Sequence, residues 1–564
     1  MCRRLPLSLS LLLLPAIALA AELDLFVTDY GENPKDDQKP LAAQPLKYAR
    51  AQEVTLRTVD GKTVAIKSPR LVTVEKEAGA DVRTARLFAS LGEYEPFSFL
   101  LRPKESLEGV FIEGGSLKGP EGAVIPAENV VVTSVEQFHG EGRDILMRLG
   151  KKWNMGANNT EFFWCTIKVP ANARPGTYKG DVTVTSLGKP VGAIAIDLEV
   201  LPIKLAEPNF ALGYNYSSPK DADALKAHLA DMREHGMTTV APLYEFHLPI
   251  NDTDTSELGA FIEAYKKAGF PATLYFATPM GLSLNDLAGY GPQTSRRWQQ
   301  KYLKVMRLLH AEAQKHNWPI LFSIGDEMTN KGIEGVKQAG HLARFVCEEL
   351  PETATTSDMN GYMEVMAMSP WLNVATFNNG WDGIDHHNKG RQLINKAFIL
   401  ELQEKTGASP WFVNANSGRF PFGFFFWKMT KYGVKGKVEW YYNLRNERGS
   451  LVRTQGTTVY PMLDYERSRE GIDDLKYVLK LEKLAAQARA AKKADAECSD
   501  AEALLKKLAD GIEDDWSAYR AGGARFPADG FEVMDPEKAV GMGSLDVIRR
   551  AIADRIVALQ AALK

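Results

Sequence analysis

From residue 210 to residue 443, apolar strand-like runs alternate with amphipathic helical stretches. The strand candidates span 210–216, 238–243, 272–277, 320–327, 353–360, 374–380, 411–416 and 437–443. Helical spacing fills 221–235, 257–268, 296–316, 333–350 and 391–405, and 466–484 follows the last strand. The connection after 353–360 is short and carries no clear helix. Eight strands alternating with helices predict a closed parallel (β/α)8 TIM barrel, because each crossover helix must cover the sheet it leaves. An open doubly wound sheet is the alternative. It is disfavoured because no glycine-rich phosphate fingerprint follows the first strand.

The rest of the chain reads differently. Residues 22–205 look all-β, with runs at 53–58, 71–75, 97–101, 130–135, 162–169, 180–186 and 193–200. Strands at this spacing, with a Pro175-Gly176 turn, predict a sandwich. Residues 201–205 read as the exit linker. Leu504, Leu505 and Leu508 have helical spacing, and 548–563 is a further helix. A chain of 564 residues is too long for one core. The expected order is therefore a β-sandwich over 22–205, a barrel over 206–485 and a C-terminal helical extension over 486–564.

The first twenty residues read as an export leader. Arg3 and Arg4 precede a mostly apolar run from Leu5 to Ala18, and Ala18-Leu19-Ala20 is a small-x-small cleavage pattern. That run is too short to span a bilayer, so an exported protein cleaved near Ala20, without membrane insertion, is expected. The net charge of −3 gives no basic surface for nucleic acid or anionic lipid. Beyond Cys2 the cysteines are Cys165, Cys347 and Cys498, far apart and without a CxxC pair. They read as buried single thiols.

In a barrel of this kind, chemistry gathers at the carboxyl ends of the strands. The ends here offer Tyr214 and Asn215, Tyr275, Asp326 and Glu327, Asp358 and Asn360, Asn378 and Trp381, Asn414, then Trp440, Tyr442 and Asn443. Aromatic planes suit the C–H faces of sugar rings, and amides suit their hydroxyls. The candidate ligand is therefore a glycan. Other motifs fall away. His386-His387 lacks a third metal ligand, Asp252 and Asp254 lack the remaining calcium-loop pattern, and neither GxSxG nor HExxH occurs. Nothing calls for a cofactor or a metal.

Asp326 and Glu327 are adjacent at the end of an apolar strand. A surface pair or a helix cap explains a bare Asp-Glu. In the fourth βα position, catalysis is the stronger reading. Most glycosidases place two carboxylates across the scissile bond, yet the seventh strand, WFVNAN at 411–416, has none. Adjacent carboxylates serve another chemistry, in which the substrate's own 2-acetamido oxygen attacks the anomeric carbon. Glu327 would be the acid, its pKa raised by the neighbouring charge, and Asp326 would orient the acetamide N–H. The competing readings are Glu327 acting with Asp358 or Asp382, and a silent glycan-binding protein.

Five stretches resemble glycoside hydrolase family 123, the β-N-acetylgalactosaminidases. They are GEYEPF at 92–97, PGTYKG at 175–180, GDE at 325–327, VEWYYN at 438–443 and ERSREGID at 466–473. The resemblance implies a sandwich followed by a (β/α)8 barrel and substrate-assisted catalysis. It implies Asp326 as the acetamide-orienting residue and Glu327 as general acid/base. Met328 departs from the proline usual after the glutamate.

Overall fold

The computed structural model describes residues 23–28, 53–57, 63–67, 83–137, 144–243, 254–277, 279, 287–379, 392–415, 417–444, 449–519 and 542–564. Two antiparallel-rich sheets make the N-terminal part. One has five strands, in the order Leu23–Thr28, Tyr94–Pro103, Glu161–Lys168, Val130–Gln137, Asp144–Arg148. The other runs Trp153–Met155, Leu107–Gly114, Gly176–Ser186, Lys189–Lys204, Thr84–Leu91. Their inner faces share one core that includes Phe99, Phe163, Val182 and Ile196. Strands 84–91, 107–114 and 144–148 escaped the sequence reading. The hairpin Glu53–Arg57 with Thr63–Lys67 lies outside both sheets, against the C-terminal helices. The run at 71–75 and the leader lie outside the described residues.

The barrel follows. Its strands are Ala211–Tyr216, Ala241–Pro242, Leu274–Phe276, Ile320–Asp326, Thr355–Met359, Val374–Phe377, Ser409–Val413 and Gly436–Glu439. They pair in parallel, in spatial order 2-1-8-7-6-5-4-3. The ring is nearly closed, strands two and three meeting through the Ala277 N–H on the Pro242 carbonyl at 3.4 Å. Ala211, Tyr275, Leu321, Trp411 and Val438 share a second core, the filling of the barrel. A cavity of about 500 Å³ between Trp318, Trp411 and His310 opens at the amino ends of the strands, opposite Asp326.

Helices cover the outside, with one correction. The connection after strand five holds a helix, Tyr362–Met368, where none was expected. At seven residues it is too short for a clear periodicity, and it forms because Glu364, Val365 and Met368 are buried. The FFFW stretch lies in the helix Phe424–Thr430, and all four of its aromatics are buried. Burial of each such ring stabilises the fold by about 1.5–3 kcal/mol. Phe425 packs on Trp516 with ring centres 4.6 Å apart. This contact ties the barrel to the region after the helix Asp495–Gly511. The last helix is Met542–Ala562. Among the described residues no helix is long and apolar enough to cross a membrane, and Cys165, Cys347 and Cys498 are free thiols.

Candidate active site

Strand four delivers its carboxylates through tight packing. Gly325 has no room for a side chain: a Cβ there would lie 2.7 Å from Ser357 Oγ. The strand ends at Asp326, which faces Asp358 of strand five in the parallel register. Glu327 then turns into the left-handed region, φ 42° and ψ 47°. A glutamate there costs about 1–3 kcal/mol, so the surroundings must hold it. The Glu327 N–H donates to the Asp358 carbonyl at 2.8 Å, and the Glu327 carbonyl accepts from Asn330 N–H at 3.0 Å. A short 3-10 turn, Met328–Lys331, follows. Gly335 lets the next helix approach it, since a Cβ there would sit 2.0 Å from the Met328 carbonyl.

The Glu327 carboxylate is gripped on both oxygens. Asn330 Nδ2 donates to Oε2 at 3.1 Å, and Asn378 Nδ2, from the end of strand six, donates to Oε1 at 3.3 Å. Burial raises the pKa of Glu327, and the Asn330 bond offsets part of that rise. This corrects the sequence expectation, which placed the cause in the neighbouring charge. A raised pKa favours the protonated carboxyl, the form a general acid requires.

A second layer lies beneath. Asp358 is buried, and its carboxylate takes the hydroxyl of Tyr275. Burial first, and Asp326 next, hold the Asp358 pKa well above the usual range. That direction disfavours Asp358 as a second charged carboxylate. Glu364 is fully buried and held at about pKa 7 by burial, against the bonds it accepts from the loop. Its Oε1 accepts from Met328 N–H at 2.7 Å and its Oε2 from Asn360 N–H at 3.3 Å. Neither Tyr275 as a partner of Asp358 nor Glu364 was read as such from the sequence. The helix carrying Glu364 was itself missed.

Strand eight lies across the ring of eight from strand four. Trp440 follows it and is 43% exposed, among the few large apolar side chains so open. Strands one and seven flank strand eight. Their ends carry Asn215, 1% exposed, and Asn414, and the Oδ1 of each lacks a hydrogen-bond partner among the described residues. Buried amide oxygens left unpaired in this way suit a hydroxylated ligand.

Three expected site residues stand elsewhere. Tyr214 is fully buried against Phe422 and Tyr465, its hydroxyl 2.8 Å from Ser468 Oγ. Tyr442 is buried between Tyr216 and Tyr465 and donates to Asp231 at 2.9 Å. Both rings point outward, to the helices; for Tyr214 this follows from the alternation of side chains along strand one. Asn443 accepts from Ser217 N–H at 3.2 Å and closes the turn after strand one. Trp381, Asp382, His386 and His387 lie outside the described residues.

The fold and this arrangement define a sandwich-and-barrel protein with paired carboxylates on strand four. Residues 81–186 match the glycoside hydrolase 123 N-terminal domain. The chain is similar in structure to a family 123 glycoside hydrolase from Clostridium perfringens, described for hydrolysis of glycolipid glycans. The TM-score is 0.59 at 14% identity, covering 86% of this chain and 96% of that one. A family 39 glycoside hydrolase from Bacteroides cellulosilyticus WH2 is also similar, with TM-score 0.35 at 12% identity over 69% and 82% of the two chains. No curated protein matches. The resemblance to family 123 or a close relative is thus carried by the sandwich in sequence and by sandwich and barrel in fold. The sandwich match and the fold shared with the Clostridium perfringens protein support a glycoside hydrolase.

Proposed function

We propose that the protein is an exported, retaining glycoside hydrolase that removes terminal β-linked N-acetylgalactosamine with help from the substrate's acetamide. The observation that carries this reading is the pair itself. Glu327 is held on both oxygens with its pKa raised by burial, directly beside Asp326. The described barrel ends offer no second ionised carboxylate at strand seven, where Asn414 stands.

In the proposed reaction the acetamide oxygen attacks the anomeric carbon. The glycosidic C–O bond breaks, and Glu327 gives its proton to the departing oxygen. Asp326 accepts the acetamide N–H and stabilises the positive oxazolinium. Glu327, now ionised, takes a proton from water as that water attacks the same carbon and opens the ring. Two inversions leave the β configuration, and Glu327 ends protonated. Trp440 supplies a ring face for the sugar.

Glu327→Gln and Asp326→Asn test the assignment. Each removes a step the chemistry needs, so turnover should fall by about 10²–10⁴-fold. Full activity in either variant would take that residue out of its role. N-terminal sequencing of the exported protein should begin at Ala21.

A further inference from the structure

Glu327 occupies a left-handed turn that a glutamate does not favour, so something outside it must hold the loop. The hydrogen bonds lead to one side chain. Glu364, fully buried in the helix after strand five, accepts from the backbone N–H of Met328 at 2.7 Å and of Asn360 at 3.3 Å. The Thr329 hydroxyl lies between Glu364 Oε2, at 3.3 Å, and Asn360 Oδ1. Asn360 Nδ2 donates to Asn330 Oδ1 at 3.1 Å, and Asn330 Nδ2 donates to Glu327 Oε2 at 3.1 Å. An unbroken relay of side chains thus runs from Glu364 to the carboxylate of Glu327.

A carboxylate buried this deeply is costly without a function or a partner. No cation is bonded to Glu364 among the described residues; its partners are the loop's own donors. Packing alone would be served as well by an apolar residue. From this geometry we infer that Glu364 is a positioning residue, which fixes the backbone turn at Glu327 and, through Asn360 and Asn330, aims the acid at the leaving oxygen. This inference rests on the assignment of Glu327 as the acid.

The test uses the full chain and two aryl β-N-acetylgalactosaminides, one with an activated nitrophenyl leaving group and one with phenol. A misaimed acid harms the poor leaving group most, because only that bond needs full protonation. Glu364→Gln should lower kcat on the phenyl substrate by about 10–100-fold. The loss on the nitrophenyl substrate should be several-fold smaller, with KM little changed. In a Glu327→Gln background the same substitution should have no further effect, since there is no acid left to aim. Equal loss on both substrates, or a loss that persists in the Glu327→Gln background, would make Glu364 a structural residue only. No loss would overturn the inference outright. Asn330→Ala, at the exposed end of the relay, should reproduce the leaving-group pattern if Glu364→Gln fails to fold. If Glu327→Gln is itself fully active, the assignment beneath the inference fails instead.

Discussion

Arg549 meets Glu93 at 3.3 Å across 456 residues of sequence, with both side chains buried. The same guanidinium bonds Glu470 at 2.8 Å, and its Nε also bonds Asp474. Arg419 bonds Asp474 and Asp546, each at 2.7 Å. Sandwich, barrel-closing helix and last helix therefore share one ionic centre. Two of the stretches that resemble family 123, GEYEPF and ERSREGID, meet here rather than at the site.

Replacing Arg549 with Met should leave Glu93, Glu470 and Asp474 without their shared cation. Breaking one side of a buried ionic group costs about 3–5 kcal/mol. The denaturant midpoint should fall accordingly, and unchanged stability would show that the acids protonate at little cost.

Gly325→Ala should disturb the site from beneath, because the new methyl would meet Ser357 Oγ at 2.7 Å. Activity should fall by at least about tenfold as Asp326 and Glu327 shift. Among the described residues Ser357 Oγ has no hydrogen-bond partner to lose. Ser357→Ala in the same chain should therefore restore most of the rate. Failure of that rescue would place the damage elsewhere.

The barrel was legible because its strands and helices differ in period, 2 against 3.6, and the acid pair because it interrupts an apolar strand. Which side of a strand a residue faces was not. Tyr214 and Tyr442 sit in strands and turns with aromatics at alternate positions, so the sequence pattern carried no clue to inside or outside. The seven-residue helix of Glu364 was too short to show a period. The relay through Asn360 and Asn330 was hidden because it links two separate connections, those after strands four and five. Asn378 and Trp440 directly follow strands six and eight, while the partnership of Asn378 with Glu327 needed the folded ring.

Asn330→Ala should also move the pH profile. The bond from Asn330 lowers the pKa of Glu327, while burial raises it. Removing the bond raises that pKa further, so the acid form persists to higher pH. The alkaline limb of kcat/KM should shift upward. A downward shift would contradict the Asn330 bond as a stabiliser of the ionised Glu327.

Trp440→Ala should weaken substrate binding with little effect on folding, since the ring is 43% exposed. A stacking face contributes about 1 kcal/mol, which predicts a rise in KM of about fivefold. Unchanged KM would remove Trp440 from the sugar site.

The central claim is that the substrate's acetamide does the work of an enzyme nucleophile. The most direct measurement is hydrolysis of matched aryl β-N-acetylgalactosaminide and aryl β-galactoside by the wild-type protein. The account predicts a kcat/KM at least about a hundredfold higher for the acetamido sugar, because the galactoside lacks the attacking oxygen. Equal or faster turnover of the galactoside would contradict it and require a second carboxylate across the barrel mouth.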